Sequence, residues 1–90
     1  MKIIFLLETK IGHVGDFHYD WQCSFVPRIG EHVHIENIFD EGRFVISDDD
    51  GIKSKVDDVE NYVLGLYWKV TGITWCKKEE YFMHVSLFGE

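Results

Sequence analysis

From residue 67 to residue 88 the chain reads as two runs of aromatic and β-branched residues, YWKVTGITW and YFMHVSLF, parted by the charged joint Cys76-Lys77-Lys78-Glu79-Glu80. Strict alternation places Tyr67, Lys69, Thr71, Ile73 and Trp75 on one face and Trp68, Val70, Gly72, Thr74 and Cys76 on the other. In the second run Tyr81, Met83, Val85 and Leu87 oppose Phe82, His84, Ser86 and Phe88. A polar joint between two such runs predicts an antiparallel hairpin.

Earlier in the chain, residues 2–10 read as a first strand, with Ile3, Phe5 and Leu7 facing one way and Ile4 and Leu6 the other. A strand apolar on both sides calls for a central place in a sheet, a second layer or a partner subunit. Residues 11–20 hold Gly12 and Gly15 among His13, Asp16, His18 and Asp20, and read as a loop or wide hairpin connection. Trp21, Cys23 and Phe25 alternate with Gln22, Ser24 and Val26 as a short second strand. Pro27-Arg28-Ile29-Gly30-Glu31 is the clearest turn, because proline fixes φ and Gly30 can take the left-handed conformation.

After that turn, Val33 and Ile35 point inward and His32, His34 and Glu36 outward, a strand over 32–36. Residues 43–47 supply another, ended by Asp48-Asp49-Asp50-Gly51. Between residues 54 and 62, Val56, Val59, Tyr62 and Val63 recur at helical spacing, with Ser54 as cap and Asp57 near the positive end of the helix dipole. The competing reading there is a loop, with a strand starting near Tyr62. Gly65 then stops the helix or bends the strand.

Five or six short strands in one domain of 90 residues predict a mainly β fold: a small, strongly bent antiparallel sheet or SH3-like barrel, with one short helix near 54–62. The stretch Val26-Pro27-Arg28-Ile29-Gly30-Glu31-His32-Val33-His34-Ile35 resembles the turn and first barrel strand of SH3-like proteins. The closing segments Gly72-Ile73-Thr74-Trp75 and Met83-His84-Val85-Ser86-Leu87 resemble the last hairpin of small uncharacterised bacterial and phage proteins of that shape. The acidic insertion over 47–64 departs from a minimal barrel, and the resemblance carries no functional residues with it.

Composition adds two points. Seven Phe, four Tyr and three Trp are enough rings to fill a small interior with few residues. The net charge of −7 is concentrated between residues 40 and 60, and it opposes phosphate backbones unless the fold gathers Lys10, Arg28, Lys69, Lys77 and Lys78. Two cysteines, Cys23 and Cys76, are too few for a secreted disulfide scaffold and read as packed thiols of a cytoplasmic protein. The apolar start ends at Glu8, too short for a signal peptide or a membrane span.

Candidate chemistry is thin. His32 and His34 share a strand face and, joined by His84, would make a metal site. The group His13, Asp16, His18 and Asp20 offers an imidazole–carboxylate pair for general-base work. Asp48-Asp49-Asp50-Gly51 lacks the donor spacing of a helix–loop–helix calcium site, since Val59 stands where the distal glutamate belongs. Cys76 has neither a nucleophile elbow nor a second cysteine at redox spacing. No cofactor is expected. The aromatic excess is the better lead: Trp68, Trp75, Tyr81, Phe82 and Phe88 exceed what one side of a hairpin can hold. The expected function is therefore a noncatalytic interaction module, forming a homodimer or binding a protein or peptide. A small metal-dependent or histidine-assisted hydrolase is the alternative, and a nucleic-acid-binding barrel the next.

Overall fold

The computed structural model describes residues 1–22, 26–39, 43–47, 51–77 and 81–90, without the side chains of Lys77 and Tyr81. Six strands form a single mixed sheet curled into a half-barrel: β1 (Lys2–Thr9), β2 (Gly12–Asp20), β3 (His32–Val33), β4 (Arg43–Ile46), β5 (Trp68–Lys77) and β6 (Tyr81–Gly89). Two short helices, α1 (Ile52–Lys55) and α2 (Val59–Leu64), join them. The order across the sheet is β3-β5-β6-β1-β2-β4.

The aromatic hairpin is present as β5 and β6, paired antiparallel from Trp68 and Gly89 to Lys77 and Tyr81. Tyr67 and Glu90 extend it by exchanging both backbone hydrogen bonds at 3.0 Å. The sheet is not wholly antiparallel, however. β1 lies parallel to β6, with Phe5 opposite Val85, so the first and last strands form the centre of the sheet. That central place answers the two-sided apolar pattern of β1. Ile3, Phe5 and Leu7 are fully buried, while Ile4 and Leu6 are half-buried on the outer face.

Strict alternation fails midway along β5. Val70 pairs with Leu87 and Gly72 with Ser86, leaving Thr71 as an extra residue. Such a bulge reverses the parity of everything beyond it. Trp68 and Val70 face the core before it, and Ile73 and Trp75 share the core face with Val85 and Met83 after it. The Thr71 hydroxyl donates to the Ser86 carbonyl at 3.2 Å.

β2 corrects the expectation for residues 11–26. The strand is Gly12–Asp20, and Trp21 lies just past its end, with Cys23 and Phe25 outside the described residues. The two glycines disguised it. Gly12, at φ 119°, closes the tight connection from β1. Gly15 is needed because β4 approaches closely: a Cβ there would collide with the Val45 carbonyl and lie 2.8 Å from the Phe44 ring. A bare backbone that admits a neighbouring strand looks, in sequence, like a loop.

The turn before β3 forms as expected. Glu31 N–H donates to the Arg28 carbonyl at 3.0 Å and Gly30 has φ 94°, as the third position of a type II turn requires. The Glu31 carboxylate accepts from Arg28 N–H at 2.6 Å. The strand expected over 32–36 stops at Val33, and Ile35–Asn37 form a 3-10 turn that drops Ile35 into the core.

The helical segment is split in two, and its cap differs from expectation. Asp58 caps α2 by accepting from Asn61 N–H at 3.1 Å, whereas the Ser54 hydroxyl sits within α1 and donates to the Gly51 carbonyl. Val56 is extended between the helices. Gly65 stops α2, its N–H donating to the Asn61 carbonyl at 3.1 Å. Ile52, Val59 and Val63 then cover the sheet, joining Ile3, Phe5, Leu7, Phe17, Trp68 and Met83 in one hydrophobic cluster. Among the described residues no helix is long and apolar enough to cross a membrane.

Candidate interaction surface

Of the histidines expected to share a metal, His84 lies apart from His32 and His34. His32 pairs with Lys69 near the start of β5, and its ring lies 4.3 Å from that of Tyr67, centroid to centroid. His34 meets the edge of the same tyrosine at 6.3 Å, and its Nδ1 lies 3.2 Å from a Glu36 carboxylate oxygen. His84 is further along the sheet, paired with Ile4 and Thr74 and packed on Phe82 at 5.4 Å. Among the described residues no three of His, Cys, Asp and Glu are grouped as a metal would need. The structure thus builds an exposed histidine–tyrosine cluster from His32, His34 and Tyr67. Alternation could put His32 and His34 on one side of the chain, but Tyr67 comes from a distant segment.

The second histidine group is likewise divided. The bulge at Val14, between Gly15 opposite Leu7 and His13 opposite Glu8, turns His13 onto the face of Asp16. His13 Nε2 is then 3.1 Å from Asp16 Oδ1. His18 is on the outer face between Ile4 and Arg43. Asp20 lies 3.5 Å from the amino group of Met1. Cys76 is half-buried and reduced; Cys23 and Asp48-Asp49-Asp50 lie outside the described residues.

Two pockets flank His32. One of about 260 Å³ is lined by Trp21, Val26, Val33, His34 and Ile38, and the other, about 380 Å³, by Tyr67, Lys69, Thr71, Phe88 and Glu90. Both lie at the end of the sheet where β3 pairs with β5. In the second recess the Thr71 hydroxyl donates to the Ser86 carbonyl, and among the described residues it is not paired with a base.

Of the five aromatic residues expected at an interface, the four whose side chains are described separate into three environments. Trp68 is 1 % exposed, and its Nε1–H donates to the Val63 carbonyl at 2.9 Å. It is a core residue, unavailable to a partner. Its seat is Gly89, where a Cβ would lie 2.8 Å from the indole. Phe82 and Phe88 are half-buried on the outer face, next to Ile4 and Leu6 of the central strands. Trp75 is 60 % exposed. The Tyr81 side chain lies outside the described residues.

Trp75 belongs to a feature that alternation could not reveal. β5 runs from Trp68 to Lys77, yet β3 pairs with it only at Trp68 and Lys69. Backbone bonds of Gly30 and Glu31 to Val70, at 2.9 and 2.8 Å, carry the contact one residue further. Beyond Val70 the outer edge of β5 has no strand beside it among the described residues. The residues from Val70 to Cys76, VTGITWC, carry no charge and no proline, the devices by which exposed sheet edges are ordinarily blunted. The missing signal was relational: the strand is evident in sequence, but its neighbour's shortness is a matter of topology. No protein-family model matches this chain, and neither a curated protein nor a solved structure matches it.

Proposed function

We propose that this chain is a noncatalytic interaction module that takes up an extended partner strand along the open edge of β5. The observation that carries this reading is the uncharged stretch from Thr71 to Cys76, beside which no strand lies among the described residues, bearing Trp75 at 60 % exposure. An open edge offers alternating backbone donors and acceptors, and a partner strand that satisfies them gains main-chain hydrogen bonds while its side chains meet those on either face. Trp75 supplies a rigid apolar contact with an indole N–H, the kind of anchor on which binding energy concentrates. The curled β-sheet is in keeping with the SH3-like class, although small barrels of that kind serve unrelated activities and the analogy names no partner.

Random peptides displayed on phage and selected against the protein test this reading. Selected peptides are expected to slow backbone amide exchange within residues 72–77 and to lose binding to the Trp75→Glu variant. Peptides that protect other amides and still bind Trp75→Glu would assign recognition to another surface.

A further inference from the structure

The outer face of the sheet carries a recess at the end where β3, β5 and β6 lie side by side. It encloses about 380 Å³ and is lined by His32, Tyr67, Lys69, Thr71, Phe88 and Glu90. That is the small end of the roughly 300–1,000 Å³ of sites that hold small molecules. We propose that this recess binds a free α-amino acid with an aromatic side chain, its carboxylate held by Lys69 and its ammonium by Glu90. The site is independent of the open edge of β5, which could fail to receive a strand without affecting it.

Strand pairing explains why these side chains meet. Trp68 and Val70 are buried, so Tyr67 and Lys69, which alternate with them, point outward. Leu87 and Gly89 are buried likewise, and Phe88 and Glu90 point to the same outer side. Lys69 stands opposite both His32 of β3 and Phe88 of β6. Tyr67 and Glu90 face each other one step along, through their two backbone bonds. Glu90 is thus the diagonal neighbour of Lys69, a spacing of roughly 7–8 Å in an antiparallel pair.

Charge and shape select the ligand. Lys69 and Glu90 bring opposite charges to one recess, yet among the described residues neither side chain forms an ion pair or a hydrogen bond. A direct pair between two exposed side chains gives up rotamer freedom for little gain. A zwitterion set between them meets each with a charge-assisted hydrogen bond. An anion with no balancing positive charge, such as phosphate, is opposed by Glu90, and a simple cation is opposed by Lys69. The walls are aromatic. Phe88 is half-buried, and the rings of His32 and Tyr67 pack with centroids 4.3 Å apart. A flat apolar group therefore meets ring faces and edges, and Tyr67, beside Glu90, offers a further attraction to the ammonium.

Titration of the isotope-labelled full chain with phenylalanine, followed by amide chemical shifts, tests this. Saturable shifts are expected at His32, Tyr67, Lys69 and Phe88. Phenylpropionate, which lacks the ammonium, and phenethylamine, which lacks the carboxylate, should each bind about tenfold more weakly or worse, the equivalent of one charge-assisted bond. Alanine, which lacks the ring, should also bind more weakly. Lys69→Gln should erase the preference for phenylalanine over phenethylamine and keep that over phenylpropionate; Glu90→Gln should do the reverse. Both residues are exposed, and unchanged amide shifts away from the recess verify that the variants keep the fold. No shifts in this group of amides up to the solubility limit of phenylalanine overturns the proposal, as does either variant discriminating as the wild type does. Phenylpropionate binding as tightly as phenylalanine overturns the amphoteric ligand in favour of a simple anion, and alanine binding as tightly overturns the aromatic one.

Discussion

At Gly89 the absence of a side chain decides where the largest core residue goes. The Trp68 indole lies against the bare backbone of Gly89 in the partner strand, and its N–H finds the carbonyl of Val63 on the covering helix. One residue therefore ties sheet to helix. Replacing Trp68 with Phe removes a buried hydrogen bond, leaving the Val63 carbonyl the longer bond from Leu66 N–H at 3.3 Å, and opens space in the core, lowering stability by about 1–3 kcal/mol in urea denaturation. Gly89→Ala should cost about 1–3 kcal/mol by forcing the indole aside. In the Trp68→Phe background the same alanine should cost less, because the smaller ring yields room; a double-mutant cycle measures that coupling. The sequence announces Trp68 as a large apolar residue but not its side of the strand. An aromatic residue reads the same whether it fills the core, as Trp68 does, or stands at an edge, as Trp75 does, until the pairing is known.

Elements with regular alternation were legible, and those that break it were not. The β5–β6 hairpin, the turn at Gly30 and a helical region near residues 54–62 all follow from local pattern, because each rests on contacts between residues close in sequence. The two bulges do not. An inserted residue leaves composition unchanged while exchanging the faces of everything after it, so Trp75 and His13 change sides. Deleting Thr71 should close the bulge and leave Trp68, Val70, Ile73 and Trp75 on one face in strict alternation, with their pairs in β6 unchanged; cooperative thermal unfolding is expected to survive. Thr71→Ala keeps the bulge and forfeits only the bond to the Ser86 carbonyl, at a cost of about 0.5–1.5 kcal/mol. The same contrast applies at the helices. Asp58→Ala should lower stability by about 1 kcal/mol through loss of the α2 cap. Ser54→Ala, whose hydroxyl only supplements an exposed turn, should fall within about ±0.5 kcal/mol.

For the molecule as a whole, strand order governs which parts hold and which open. β6 and β1 are bonded on both sides along most of their length, whereas β3 pairs over two residues and β4 over four. Native-state hydrogen exchange should accordingly find the slowest amides in β1 and β6 and faster ones in β3 and β4. Outward-pointing amides between residues 72 and 77 should exchange quickly in dilute protein despite lying in a long strand. Of this order only the central place of β1 left a mark in the sequence, in its two-sided apolar run; that β6 is its neighbour did not, since Lys2 and Phe82 pair across the length of the chain. The candidate site shares that property, because the open edge exists only where one strand outruns its neighbour.

The parallel alliance of the first and last strands also sets a timetable for synthesis. As the chain leaves the ribosome, β1 and β2 can meet early, but the middle of the sheet stays incomplete until the final strand has emerged. Loops this long close slowly and expose apolar strands in the interval. A nascent chain arrested before Tyr81 lacks the strand that unites its two halves, so protease resistance of this sheet should arrive abruptly once Tyr81–Gly89 has emerged rather than accumulate along the way.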